Sequence, residues 1–504
     1  MTMQGIKRKI PVLEVLTEAE VEAIHRATLQ VLWETGVTFH HAEALDIFED
    51  AGCQVDRSNN RVRFPNWLVE QCLATCPSSF RVKARNPKND IILSGGGDTT
   101  YSMIGCAMSS LDLETWAPRP ATRHEFYDYM RLVDALPYAH IMSAFPMFGF
   151  AGTPECMQLL ESNASKLRVS SKTQQEGGVL DNHLWNIKMA QAVGADCMQL
   201  INPAAPLTYY ENISQMVLDC CELDTPFHTA SGPVAGATAP ATLAGALVNN
   251  NAEGMAGIIL AQLVKPGHRV WTGNMMMVQN MRTGSPSFGA VENVLGEAMF
   301  NQVWRRYQIP TWISSCAWCD SKVIDYQAGW EQTMALAFGL LSGPSAMFYL
   351  GSLTAALTGH PYKSVMDNDI LGQAARFLAG ATVNEETLAV DLINQVGPIP
   401  GYFLNLPHTR EWWKKEQFLT KTADQDSYEI WVGKGKKTAL DHAEEVAQKI
   451  LATHKGDPLT AEQEAAVEKI LQDAREAYRA QGQISDADWE AYMKVIESPT
   501  YPFA

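Results

Sequence analysis

Aromatic and small polar side chains recur where apolar runs end: Tyr101, Phe145 and Phe148, Asn274 beside Met275–Met277, Trp318, Phe348 and Tyr349, then His360 and Tyr362. A set so poor in charge is what a quaternary ammonium group selects, because ring faces attract a diffuse cation that offers no hydrogen bond of its own. The competing reading for each ring is ordinary core packing. Two cysteine pairs are the other candidate chemistry. Cys316 and Cys319 have the two-residue gap of a tetrahedral thiolate site, whereas Cys72 and Cys76, with three residues between them, share one face of an expected helix. Neither pair has histidines in ligand spacing, so the cysteines are expected to be buried apolar groups that hold no metal. No Gly-x-Ser-x-Gly elbow or His-Glu-x-x-His motif occurs, which leaves hydrolase chemistry without support. Gly95-Gly96-Gly97 lacks the Gly-Lys-Ser/Thr continuation of a phosphate loop and reads as a turn.

The elements that must position these residues alternate. Short β-rich runs are expected at 140–145, 197–200, 227–231, 269–272, 311–315 and 346–350, with helices between them at 182–193, 210–222, 241–263, 292–307 and 327–341. Such alternation over some 300 residues implies a parallel sheet, and the number of units favours closure into a (β/α)8 TIM barrel of the α/β class over an open doubly wound sheet. In a barrel the reactive face lies at the C-terminal ends of the strands, where the aromatic and polar residues above are expected. The boundaries are drawn at an N-terminal helical and β preface (1–95), the catalytic barrel (96–420) and a charged C-terminal helical extension (421–504). Thr17-Glu18-Ala19-Glu20 and Thr460-Ala461-Glu462-Gln463 are capping boxes, and the extension is expected to be a clasp or the contact of a homo-oligomer.

Composition excludes whole classes of partner. The 504 residues carry 39 Lys+Arg against 56 Asp+Glu, a formal charge of −17 that repels nucleic acid and anionic membrane surfaces. No charged residue occurs from Gln332 to Tyr362, but Ser342-Gly343-Pro344-Ser345 breaks that run, which reads as a buried helix, a turn and a buried strand rather than a membrane span. Ten scattered cysteines and an opening without the apolar core of a secretory signal point to a reducing cytoplasm.

Several segments together carry a family resemblance. These are Leu111-Asp112, Thr115, Arg119-Pro120 and Thr122; Ala235 to Gly245 followed by Asn251-Ala252-Glu253; Asn280 to Gly284; Asp320-Ser321-Lys322, Asp325 and Gln327-Ala328-Gly329; Val365 to Ile370; and His408-Thr409-Arg410-Glu411. In order and spacing the chain resembles the trimethylamine methyltransferase superfamily, corrinoid-dependent barrels whose archaeal founder carries pyrrolysine. No pyrrolysine stands among the 504 residues. The resemblance therefore implies a non-pyrrolysine member similar to glycine betaine methyltransferases. Its expected reaction moves a methyl group from a small quaternary amine to the Co(I) corrinoid of a separate carrier protein. Glycine betaine is the first choice, with proline betaine, carnitine and γ-butyrobetaine behind it.

On that reading no side chain acts as acid, base or nucleophile. Tyr101, Phe348 and Tyr349 are expected to cage the ammonium group, Trp318 to wall it, and Asn274 and His360 to hold the carboxylate. Glu253, Asp320, Asp325 and Glu331 are expected to brace loops, since a carboxylate beside the substrate's own would repel it. The corrinoid is expected to come with the partner rather than bind tightly here. Two alternatives stand beside this one: a non-catalytic betaine-binding barrel, and a barrel lyase or aldolase, for which Lys322 is the only basic candidate in the later strands.

Overall fold

The computed structural model describes residues 3–104, 107–143, 152–178, 180–314, 318–349 (Tyr349 without its side chain) and 351–503. Eight parallel strands form its centre: β1 (Thr99–Ile104), β2 (Ile141–Met142), β3 (Thr173–Glu176), β4 (Cys197–Ile201), β5 (Phe227–Ser231), β6 (Val270–Asn274), β7 (Thr311–Ile313) and β8 (Ala346–Tyr349). Each pairs with the next, and β8 returns to β1 with Ala346 opposite Tyr101 and Tyr349 opposite Ile104, which closes the barrel. A helix follows every strand: α1 (Arg123–Ala135), α2 (Glu155–Val169), α3 (Asn182–Ala192), α4 (Glu211–Glu222), α5 (Leu243–Val264), α6 (Val291–Arg305), α7 (Tyr326–Leu341) and α8 (Pro361–Leu378). This is the closed (β/α)8 arrangement expected from the alternation. The charge-free stretch resolves into the end of α7, a turn and β8, and no helix among the described residues is long and apolar enough to cross a membrane.

The strands sort their side chains by the period of two. On β6, Val270 packs outward against the helices and Trp271 turns inward. Thr272 faces α5, where its hydroxyl meets that of Thr229 at 2.9 Å. Gly273 is required at its place because a Cβ there would lie 1.9 Å from the indole of Trp312. One strand escaped the sequence reading. Thr173–Glu176 is a polar run, yet all four residues are buried, because Glu176 pairs with the equally buried Lys166 of α2 while Gln175 faces the lumen. Propensity and hydropathy cannot see a strand whose polar groups find their partners elsewhere in the fold.

The first hundred residues dress the barrel rather than stand apart from it. Helices Glu18–Glu34, Ala42–Asp50 and Asn66–Thr75 share a core with the outer face of α5, and the Thr17 capping box is formed as expected. The hairpin of Ser79–Val82 and Ile91–Ser94 sends Phe80, Val82, Ile91 and Leu93 into the cluster that fills the lumen. The Gly95-Gly96-Gly97 turn then leads into β1, with Gly97 at φ +77° and Gly95 against the backbone of Gln308. At the other end of the chain α9 (Ala439–Thr453), α10 (Ala461–Ala480) and α11 (Asp486–Ile496) lie against α1, α2 and α3. Their anchor is Glu161 of α2, fully buried between Arg123 at 3.1 Å and Arg475 at 3.4 Å, with the hydroxyls of Tyr492 and Tyr501 donating to it. Burial alone would raise the pKa of this carboxyl, but Arg123 and Arg475 hold it below the ordinary range.

Candidate active site

The expected site residues occupy three different places. Phe348, at the C-terminal end of β8, turns into the lumen and meets the Trp312 ring edge-on at 4.8 Å. Trp318, just beyond β7, is buried in the same lumen cluster and stands 5.0 Å from Phe288, again nearly perpendicular. These two are brought together as expected from their positions at strand ends. The backbone of Tyr349 closes the barrel beside Ile104, and its side chain, like Phe145 and Phe148, lies outside the described residues.

Tyr101 is in the lumen but at its other end. It pairs with Ala346, three residues below Tyr349, and its hydroxyl accepts from the Ile92 amide of the N-terminal hairpin at 3.4 Å. The ring packs edge-on to His140 at 5.8 Å. The expectation that it stands at the reactive face is therefore corrected: the strand runs on for three residues past it, and it closes the floor. Burial raises the pKa of its phenol.

Asn274 lies at the end of β6 but faces the helix layer. Its Oδ1 accepts from Asn250 of α5 at 3.1 Å and from the Met276 amide at 2.8 Å, because it shares the parity of Thr272 and not of Trp271. His360 caps α8, its Nδ1 accepting from the Tyr362 amide at 3.1 Å. It lines a separate cavity of about 180 Å³ with Arg119, Glu125, Asp128, Tyr129 and Tyr362, where burial, then the nearby Arg119, push the imidazole down to about 4. Neither residue belongs to the aromatic cluster of the lumen, which corrects their expected place beside the cage.

The lumen does contain polar side chains that the sequence reading missed. Ser143, just past β2, and Gln175, on β3, share the inward parity of Ile141 and Met198, and the serine hydroxyl donates to Gln175 Oε1 at 2.6 Å. Strand β3 lies across the barrel from β7 and β8, so this amide and hydroxyl confront the Phe348 and Trp312 side. The available signal was the polar run Thr173–Glu176 itself, four polar residues flanked by elements of a buried sheet. Deeper in, His228 is fully buried between Trp271 at 4.7 Å and Trp312 at 4.9 Å, with neither ring nitrogen hydrogen-bonded among the described residues; burial pushes it down to about 3, so it is neutral.

The acidic residues brace loops. Glu331 accepts from the Asp320 amide at 2.7 Å and from Gln327, Asp320 from the Gly289 amide, and Asp325 caps α7. Glu253 accepts from the Leu207 amide and Asn249, and burial pushes it up to about 8. Lys322 is exposed, its ammonium turned back to the Asp320 carbonyl. Cys316 lies outside the described residues; burial pushes the thiols of Cys319 up to about 12 and of Cys72 up to about 11, so both are neutral thiols rather than thiolates. Among the described residues no group of three or more His, Cys, Asp or Glu side chains could hold a metal ion.

A family profile described as trimethylamine methyltransferase (MTTB) matches residues 1–477. The chain belongs to the trimethylamine methyltransferase family. Within that family it is 30% identical over 473 residues to a glycine betaine methyltransferase of Desulfitobacterium hafniense, covering 92% of this chain and 97% of the relative. It is also 30% identical to a trimethylamine methyltransferase MttB of the same species, over 92% of this chain and 94% of the relative. A trimethylamine methyltransferase MttB of Methanosarcina barkeri is 27% identical over 93% and 96%. Among solved structures, the hydroxylamine complex of MtmB superposes with a TM-score of 0.50 at 10% identity, over 92% of this chain and 88% of that one, a likeness of fold. Membership makes the chain a methyltransferase, and its lumen the place to look for the methyl donor.

Proposed function

We propose that the chain transfers a methyl group from a small quaternary amine, glycine betaine first, to the Co(I) corrinoid of a separate carrier protein. The observation that carries this reading is the lumen's division into an aromatic side and an amide side with neutral groups between them. Phe348, backed by Trp312, and Trp318 with Phe288 offer ring faces and edges to an ammonium group. Across from them, Gln175 has its oxygen held by Ser143, which leaves its amide nitrogen as a donor for a carboxylate. A zwitterion with its two charges a few ångströms apart spans such a site.

The corrinoid is a second substrate here, and the electron pair of its Co(I) is what takes the methyl group. A quaternary nitrogen already carries the positive charge, so the C–N bond breaks with its electrons passing to nitrogen, and a neutral tertiary amine leaves. No proton has to be supplied. This suits a lumen whose histidine, His228, burial keeps neutral. What remains for the protein is to aim one methyl carbon out of the mouth and exclude water, which is catalysis by positioning. Trimethylamine, by contrast, must be activated before a methyl group can leave it.

The test is methylation of reduced cob(I)alamin, followed by absorbance, with a panel of quaternary and tertiary amines. Betaines are expected to react and trimethylamine to be inert. Equal rates for trimethylamine would overturn the preference, and saturable betaine binding without methyl transfer would leave a binding barrel instead.

A further inference from the structure

The strand that carries Gln175 has no hydrophobic pattern to fix its register. Thr173-Gln174-Gln175-Glu176 is polar at every position and buried at every position, so apolar matching cannot decide which side chains face the lumen and which face the helices. A slip by one residue would turn Gln175 to the helix layer and Glu176 into the lumen. The ladder to β4 is no guide, since backbone pairing is the same in either register, and the ladder to β2 stops at Met142 and Gln174. After Glu176 come Gly177 and Gly178, and among the described residues nothing packs where a side chain of Gly177 would stand.

One side chain of α2 tells the two registers apart. Lys166 is fully buried, pairs with Glu176 and donates through its ammonium to the Gln175 carbonyl at 3.1 Å. In the slipped register a neutral amide would replace Glu176 beside this ammonium, leaving a buried charge uncompensated. Another buried pair on the same helix shows what a tertiary staple looks like. Glu161 joins Arg123 of α1 to Arg475 of α10, far apart along the chain. Lys166 reaches only nine residues on, to Gln175, and its neighbour Glu176, in the strand that directly follows its own helix. It ties nothing distant. Neutral side chains of similar volume often replace a buried ion pair without loss of stability, so stability does not account for this one, whereas fixing a register does.

We propose that the Lys166–Glu176 pair is the register lock of β3, which points Gln175 at the substrate carboxylate and keeps the carboxylate of Glu176 out of the lumen. Both are positioning residues: they set which amine is accepted without touching it. The role rests on Gln175 being the carboxylate donor proposed above. With the lock removed, Glu176 is free to face the lumen, where it repels a betaine carboxylate and attracts a bare quaternary ammonium.

The experiment is isothermal titration of glycine betaine and choline into the wild type, Gln175→Leu, Lys166→Met and Lys166→Met/Glu176→Gln. Lys166→Met is expected to weaken betaine about 10-fold and to leave choline unchanged or tighter. The double variant, which removes both charges at similar volume, is expected to keep the wild-type thermal midpoint and still lose the preference for betaine. Glu161→Gln is the control for packing alone, with a lower midpoint and an unchanged betaine-to-choline ratio. If Lys166→Met and the double variant keep the wild-type ratio while Gln175→Leu shifts it, the lock is overturned and the donor stands. If Gln175→Leu keeps the ratio, the donor falls and the lock with it. A ratio that moves as far in Glu161→Gln as in Lys166→Met also overturns the proposal. Should Lys166→Met not fold, Glu176→Gln, equal in shape to the wild type, is read in its place with the same outcomes.

Discussion

The floor and the mouth of the barrel lumen are built from the same kinds of residue and do different work. At the floor, Tyr101 is fixed between the N-terminal hairpin and His140, and His228 is wedged between Trp271 and Trp312. Every ring there has another ring as its neighbour. At the mouth, Phe348 and Trp318 each have one ring partner, and the Ser143–Gln175 pair belongs to β2 and β3 on the other side of the barrel. Residue type therefore does not separate scaffold from site. Height along the strand does, since backbone pairing and the hairpin seal one end, while the other is followed by loops and two small sheets, such as that of Val234–Ala235, Met277–Gln279 and Pro286–Ser287.

The comparison breaks most readily at the floor. Trp271→Ala is expected to lose about 3–5 kcal/mol of stability, since the cavity left among rigid rings cannot collapse. Denaturant titration measures this, and the folded fraction should keep the wild-type ratio of betaine to choline binding. A changed ratio would bring the floor into the site.

A second difference is in pH. His228 and His140 are pushed down to about 3 by burial, the latter also by Lys172, whereas both titrate near 6.5 in the unfolded chain. The unfolded state thus binds more protons between pH 6.5 and 3. Each histidine contributes stability that is complete above 6.5 and falls by roughly 1.4 kcal/mol per pH unit on the way down to 3. Replacing His228 by Leu should remove about half of that slope, and an unchanged slope would assign the acid sensitivity elsewhere.

At the mouth the expected effects are smaller and fall on the substrate. Gln175→Leu should weaken betaine by about 1.5–3 kcal/mol, the range for a hydrogen bond to a charged group, while choline, which has no carboxylate, is nearly indifferent. His360→Ala, in its separate cavity, should leave the betaine-to-choline ratio unchanged; isothermal titration of both ligands decides between the two residues. Phe348→Leu should cost both ligands about 0.5–2 kcal/mol and also slow turnover, because a methyl group off its line of attack reacts more slowly. The smallest effect is expected for Tyr101→Phe, which gives up only long hydrogen bonds at the floor and should leave binding and turnover as they are.

Much of this protein was legible in its letters. The alternation of apolar runs and amphipathic segments is local, so β4 to β8, their helices, the capping boxes at Thr17 and Thr460 and the closed barrel could be expected before any coordinates. The aromatic residues near strand ends could also be named, and Phe348 and Trp318 stand where the sequence led one to look. Other features depend on which groups meet, and only the tertiary structure decided those. One residue of strand parity turned Asn274 to α5 instead of the lumen, and three residues of register put Tyr101 at the floor. The polar strand Thr173–Glu176 is not among the expected runs, because what lets it be buried is Lys166, which pairs with Glu176 from a neighbouring helix. Burial on a strand is a local pattern, whereas the partner that makes a buried polar group affordable lies across the fold, where no window along the sequence reaches.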